Sequence, residues 1–196
     1  LRGMHTNARL QAPALVQSID LSGRESLLDL GGGPGTYAIH FCRANPGLKS
    51  VVFDLPDSRP IAEANIQEAG LGERIRFQAG DYHKDSVDGR FDVVWLSHIL
   101  HAEGPEACQK IVDLAVSALK PGGRILIHEF ILADSKDAPE MPALFSLNML
   151  VGTRSGRAYS EAELKELLTA AGVKQINRLD YRGPTASGIL SGHVTA

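Results

Sequence analysis

The chain has 196 residues, enough for one α/β domain with a full hydrophobic core. Hydrophobic residues make up 43% and charged residues 22%, a balance that excludes a disordered chain and suits a soluble globular one. The net charge of −3 argues against electrostatic nucleic-acid binding, and no apolar run approaches the roughly 18 residues needed to span a bilayer. The two cysteines, Cys42 and Cys108, form neither a CxxC pair nor a zinc spacing and are expected to be buried, reduced thiols of a cytoplasmic protein. Leu1-Arg2-Gly3 carries no apolar signal region and no initiator methionine.

In chain order, residues 7–19 read as a helix and Ser26–Leu30 as a short buried strand. A glycine cluster follows, then a helix over Tyr37–Arg43, a second strand Ser50–Asp54, and a helix Asp57–Ala69 stopped by Gly70, where a left-handed cap costs little. Ile75–Ala79 and Phe91–Ser97 are the third and fourth strands, and Glu106–Leu119 is a helix ended by Pro121-Gly122-Gly123. Arg124–Leu132 is the fifth strand. Residues 133–159 fit the alternation least; Leu144–Leu150 within them reads as a helix over the top of the sheet. Ser160-Glu161-Ala162-Glu163 fits a capping box that opens a helix running to Ala171, stopped at Gly172. Two last strands near Lys174–Tyr181 and Ser187–Val194 form an antiparallel hairpin at one edge. Strands alternating with helices imply a parallel sheet with helices on both faces. Ligands of such sheets bind outside the carboxyl ends of the strands, so the insertion is placed to cover a substrate.

The run Leu27-Leu28-Asp29-Leu30-Gly31-Gly32-Gly33-Pro34-Gly35-Thr36 is a strand, a glycine turn and a helix start. Its GxGxG spacing has Thr36 where a dinucleotide fingerprint wants glycine, which weighs against a nicotinamide dehydrogenase. Asp54 ends the second strand and can accept from both hydroxyls of a ribose; Asp81, after the third, can accept from an adenine amino group. Each alone reads equally as a loop charge, but Asp29, Asp54 and Asp81 stand at three successive strand ends beside one glycine loop.

The segments DLGGGPG, VVFDLP, GDY, FDVVWLSHILH and LKPGGRILIHEFIL resemble the successive motifs of class I S-adenosylmethionine-dependent methyltransferases. More narrowly they are similar to the small-molecule O-methyltransferase family that includes plant caffeic-acid enzymes, acetylserotonin methyltransferase and bacterial relatives. The resemblance runs over nearly the whole chain. It implies a Rossmann-like, doubly wound seven-stranded sheet, mostly parallel with an antiparallel edge hairpin, in one catalytic domain spanning 1–196. It further implies that Gly31, Gly33 and Gly35 line the cofactor S-adenosylmethionine, or its product S-adenosylhomocysteine. Asp29 then lies near the methionine amino group, Asp54 and Leu55 at the ribose, Asp81 and Tyr82 at the adenine, and Ser97 at a further cofactor contact. The family's N-terminal helical dimerisation domain, which helps close the substrate pocket, is missing from this stretch. A homodimer through that domain, and little activity of residues 1–196 alone, are the corresponding expectations.

Methyl transfer needs an aligned, electron-rich acceptor, and a hydroxyl acceptor gains from a base. Ser97-His98-Ile99-Leu100-His101 follows the fourth strand, and a lone histidine there reads first as packed or capping. On the family's LHDW-x-DE pattern, Leu100-His101 with Glu106 makes His101 the catalytic base, and Glu129 of Ile127-His128-Glu129 its carboxylate partner. His98 is expected to point elsewhere. The family's aspartate and tryptophan are Ala102 and Glu103 here, and Ala158 stands in place of a second glutamate. Phe145, Asn148 and Met149 fall on the family's substrate-pocket helix, although Phe and Met at helical spacing are also ordinary core. Arg154 reads as a solvated loop charge or a contact for an acidic acceptor. No metal set can be assembled from the sequence. The expected reaction is methylation of a small aromatic or quinone-like hydroxyl; nitrogen or carbon acceptors and a non-catalytic cofactor-binding domain are the alternatives.

Overall fold

The structure, a computed structural model, describes residues 2–183 and 186–195. Its central sheet runs in the order β3-β2-β1-β4-β5-β8-β7. The strands are β1 (Ser26–Leu30), β2 (Lys49–Asp54), β3 (Ile75–Ala79), β4 (Phe91–Ser97), β5 (Leu119–Leu132), β6 (Tyr159–Ser160), β7 (Lys174–Arg178) and β8 (Ser187–His193). The first five are mutually parallel, and β8 inserts antiparallel between β5 and β7. The doubly wound sheet with an antiparallel edge hairpin is therefore present. An eighth strand escaped the sequence because β6 has only two residues, which pair with Ile131 and Leu132 at the far end of β5.

Among the described residues six α-helices accompany the sheet: α1 (Arg2–Gln17), α2 (Thr36–Ala44), α3 (Arg59–Glu68), α4 (Pro105–Ser117), α5 (Glu140–Gly152) and α6 (Glu161–Ala170). Alternate strand residues face opposite layers. Leu28, Leu30, Val94 and Leu96 pack with Cys108, Ile111, Val112 of α4 and Leu164, Leu168 of α6. Leu27, Val52, Val93 and Trp95 pack with Leu15, Val16 of α1, Phe41 of α2 and Ile66 of α3 on the other side. No helix among the described residues is long and apolar enough to cross a membrane.

Several boundaries differ from the sequence reading. Pro121-Gly122-Gly123 lies inside β5 rather than before it: Phe91 pairs with Leu119 but Val93 with Arg124, so extra residues bulge from the longer strand. Gly122 turns this bulge at φ 70°. β7 stops at Arg178, short of Tyr181, and its pairing slips between Lys174 and Asn177, where Gln175 has φ 52°. The capping box of α6 is complete: Ser160 Oγ accepts from Glu163 N, and Glu163 accepts from Ser160 N at 2.9 Å. Both cysteines are free and buried, and burial pushes each thiol up to about 11.

Candidate active site

From β1 the chain continues to β2 on one side and later to β4 on the other, so a crevice opens beyond the carboxyl ends of β1 and β4. A cleft of about 410 Å³ lies there. Its floor is the glycine loop, one wall is formed by Ser97, His98, His101 and Phe130, and α5 with Phe145 and Met149 closes the top. Ala8 and Gln11 of α1 complete it.

The glycine loop is shaped by close approach. Gly31, Gly33 and Gly35 all have positive φ, at 70°, 50° and 74°. A Cβ at Gly31 would lie 2.7 Å from Ile99, and one at Gly32 would lie 2.5 Å from the Asp29 carboxyl carbon. Gly31 and Gly33 line the cleft. Gly35 does not: its Cα faces Val52 and Ile66, and it serves as the left-handed residue from which α2 starts. Asp29 is 1% exposed, accepts from Ala38 N at 3.2 Å, and is pushed up by burial to about 7.

Asp54 fastens this loop to β2. Its Oδ2 accepts from Gly33 N at 2.8 Å; its Oδ1 accepts from Leu55 N at 2.8 Å and Ser58 Oγ at 2.7 Å. Gly80 N donates to the Asp54 carbonyl, placing the start of the 80–85 loop beside it, and Gly80 has no room for a side chain against the Phe53 ring. Asp81 accepts from His83 N at 2.9 Å and pairs with Lys84 Nζ at 2.9 Å; these bonds hold its carboxyl below the usual range. Tyr82 packs on the core, and burial pushes its hydroxyl up to about 12. Asp54, Leu55, Asp81 and Tyr82 thus lie at the adjoining ends of β2 and β3, not in the cleft wall itself.

On the other side, His101 Nδ1 is 2.8 Å from Glu129 Oε2. The pairing joins residues 28 apart in sequence, because β4 and β5 are neighbours and a short 3-10 turn, Leu100–Ala102, folds back over the end of β5. Glu129 is 2% exposed; its Oε1 accepts from Leu100 N at 3.0 Å. Burial by itself would raise its carboxyl, but the adjacent His101 and His98 outweigh it and hold the group far below the carboxylate range. Gly156 backs the turn, with no space for a Cβ against the His101 carbonyl. Tyr159 Oη donates to Glu103 O at 2.6 Å and pins the turn's end.

His98 does not point elsewhere. Its φ of 56° turns it back over β5, and its Nδ1 lies 3.6 Å from Glu129 Oε2. His98 and His101 therefore face the same carboxylate. His98 Nδ1 is buried with no hydrogen-bond partner. Below them His128, which the sequence left without a role, is fully buried between Ser97 Oγ (2.9 Å) and Ser187 Oγ (3.0 Å). Burial first, then His98, pushes its imidazole well below the usual value, so it is neutral.

On α5, Phe145 stacks at 4.2 Å on Phe130 and edges His101 at 4.8 Å. Asn148 is exposed and lies outside the cleft: one residue from Met149, it is rotated about 100° round the helix. Arg154 is exposed on the following loop. Ala158 is 3% exposed, and its N donates to Ser146 Oγ at 3.1 Å. Gln11 was missed by the sequence reading altogether. Its Oε1 is buried, without a partner, on a residue that lines the cleft, and a glutamine in an amphipathic helix gives no such signal.

The O-methyltransferase domain model matches residues 1–174. A 3-hydroxy-5-methyl-1-naphthoate 3-O-methyltransferase of Streptomyces sahachiroi is 38% identical over 97% of this chain and 55% of that protein. An L-tyrosine C(3)-methyltransferase of Streptomyces lavendulae is 34% identical, over 95% of this chain and 52% of its own length. The crystal structure of human N-acetylserotonin methyltransferase in complex with SAM superposes with a TM-score of 0.87 at 28% identity, covering 100% of this chain and 55% of the human one. The chain spans about half the length of the curated relatives it matches.

Proposed function

Since this chain belongs to the O-methyltransferase domain family, we propose that it transfers a methyl group from S-adenosylmethionine to the hydroxyl of a small aromatic or quinone-like acceptor. The observation that carries this reading is the His101–Glu129 pair, 2.8 Å apart, in the same cleft as the glycine loop and the Phe130–Phe145 stack.

The residues present fit the cofactor. Gly31, Gly32 and Gly33 line the cleft, so a ligand there would meet backbone, and the unpartnered Gln11 Oε1 offers an acceptor to it. Asp29 would hold an ammonium group. Asp54 would take a ribose hydroxyl through Oδ2, which accepts only from Gly33 N, while Oδ1 is held by Leu55 N and Ser58 Oγ. Leu55, half exposed beside it, would pack on the nucleoside, Asp81 and Tyr82 would face the adenine, and Ser97 would border the sulfur end. When bound, the cofactor supplies an electrophilic methyl group on a positively charged sulfur and leaves as S-adenosylhomocysteine.

The chain supplies the base and the alignment. Glu129 accepts from the Nδ1–H of His101, which fixes the tautomer and leaves Nε2 with its lone pair. A phenol loses its proton only near pH 10 in water, so Nε2 taking that proton raises nucleophilicity at neutral pH. Phe130, Phe145 and Met149 present an apolar slot that excludes water and orients a flat ring. Ala158, buried where the family carries a second glutamate, leaves Glu129 as the one carboxylate on this histidine among the described residues. A carbon acceptor is the second reading, favoured by the tyrosine C-methyltransferase relative: the same deprotonation enriches the ring carbon beside the phenolate.

A homodimer belongs to this proposal. Leu144, Leu147, Leu150 and Val151 of α5 are 53–88% exposed, an apolar face that suits a protein partner better than water. Two free, buried thiols suit a cytoplasmic location. The test of the activity is a panel of hydroxylated aromatic acids with His101→Gln as comparison. The variant should bind S-adenosylhomocysteine as the parent does and transfer methyl groups roughly 10²–10⁴-fold more slowly. Equal rates in the two proteins would remove His101 as the base, and mass spectrometry of the product separates oxygen from carbon methylation.

A further inference from the structure

We propose that His98, His101 and Glu129 form a binding site for a divalent transition-metal ion of the zinc class, and that occupancy switches His101 off as a base. The silencing, though not the binding, rests on the proposed role of His101. Each of the three residues offers a ligand atom, and these atoms lie within 4.8 Å of one another. Glu129 Oε2 is 2.8 Å from His101 Nδ1 and 3.6 Å from His98 Nδ1. A tetrahedral site with bonds of about 2.0–2.1 Å has edges of about 3.3 Å, so these two spacings straddle what the ion needs. The third edge lies within 4.8 Å, so the two rings must turn toward each other to close the site.

Three features favour a ligand here over a purely structural cluster. His98 Nδ1 is buried and has no hydrogen-bond partner, a cost that the backbone reinforces by holding a histidine at φ 56°. Glu129 is oriented by the Leu100 N–H, as an outer shell orients a metal-bound carboxylate. His98 and His101 both line the cleft, so an ion has a way in and an open coordination position for water. Two imidazoles and one carboxylate select zinc, copper or nickel over magnesium or calcium, which prefer oxygen.

The consequence for the base follows from the tautomer. A His101 ring that donates to Glu129 through Nδ1 and carries one proton keeps the lone pair of Nε2. An ion on Nδ1 takes the lone pair of that nitrogen. The ring proton then passes through cleft water to Nε2, with no net change in protons. Nε2 becomes a donor and cannot accept the acceptor's proton, while the ion's own charge opposes the approach of a sulfonium.

Zinc chloride is titrated calorimetrically into the protein without cofactor or acceptor, alongside His98→Asn and His83→Asn. Asparagine tolerates positive φ, so the first variant keeps the turn. The second removes the partly exposed His83–Glu103 pair, the competing site. One ion per chain is expected in the parent, with at least tenfold weaker binding in His98→Asn, parental binding in His83→Asn, and no heat with magnesium. No zinc binding by the parent, equal affinity in His98→Asn, or loss confined to His83→Asn overturns the site. If His98→Asn does not fold, cobalt(II) added to the parent serves instead: intense tetrahedral d–d bands uphold the site and their absence overturns it. In a transfer assay, zinc should inhibit the parent reversibly with chelator, at concentrations matching the titration. Zinc bound through His98 that leaves transfer intact overturns the silencing. Zinc bound through His98, with transfer by His101→Gln equal to that of the zinc-free parent, upholds the site and overturns the proposed role of His101 instead.

Discussion

Asp29 gives the sharpest link between burial and behaviour. Its carboxyl sits 1% exposed at the end of β1, and burial raises it from 3.8 to about 7. The native chain therefore holds a proton that the unfolded chain releases. Stability from this group is complete below the unfolded value, falls as pH rises from about 4 to about 7, and is flat above that. The span corresponds to roughly 4 kcal/mol at about 1.4 kcal/mol for each pH unit. Asp29→Asn keeps an oxygen for the Ala38 N–H and removes the titration. Urea unfolding of parent and variant from pH 4 to 8 should give a difference that moves in the variant's favour by roughly that amount as pH rises. A difference that stays constant, or moves toward the parent, refutes the reasoning. The proposed ammonium of S-adenosylmethionine beside Asp29 adds a second signature. Affinity should rise by up to about tenfold per pH unit between 5 and 7, with a proton released, and Asp29→Asn should lose this dependence. Calorimetry in buffers of different ionisation enthalpy counts that proton.

Three further outcomes are expected. Asp54→Ala leaves the N–H groups of Gly33 and Leu55 without their acceptor and removes the proposed ribose contact, so S-adenosylhomocysteine should bind at least tenfold more weakly, at about 1.5–3 kcal/mol for a charged hydrogen bond; an unchanged calorimetric affinity takes Asp54 out of the site. The depressed Glu129 carboxyl contributes stability that is complete above the ordinary glutamate value of about 4.3 and is lost as pH falls below it. Acid unfolding of Glu129→Gln should lack that limb, and an identical acid profile for parent and variant would count against it. Phe145→Ala opens the aromatic slot, so KM for a flat acceptor should rise several-fold while cofactor affinity holds; weaker cofactor binding with KM unchanged would put Phe145 at the wrong end of the cleft.

The sequence by itself determined the alternation of strands and helices, the glycine turn after β1 and the acids at successive strand ends, because these are local patterns of period and turn chemistry. The capping box at Ser160 and the stop at Gly172 were legible for the same reason. Tertiary structure alone decided what meets across the sheet. The family resemblance named Glu129 as the partner of His101, but what brings the two together is the β4–β5 register, which no local pattern records. The direction of His98 turned on one positive φ at a strand end, which the sequence does not announce. Asn148 and Gly35 carried the right residue types at the right helix and loop, but rotation round α5 and the start of α2 face them away from the cleft. Gln11, His128 and Gly156 have no local signal at all. Their roles exist only because packing brings a helix from the start of the chain, a buried strand and a later loop to one side of the sheet, where desolvation fixes which polar atoms still need a partner.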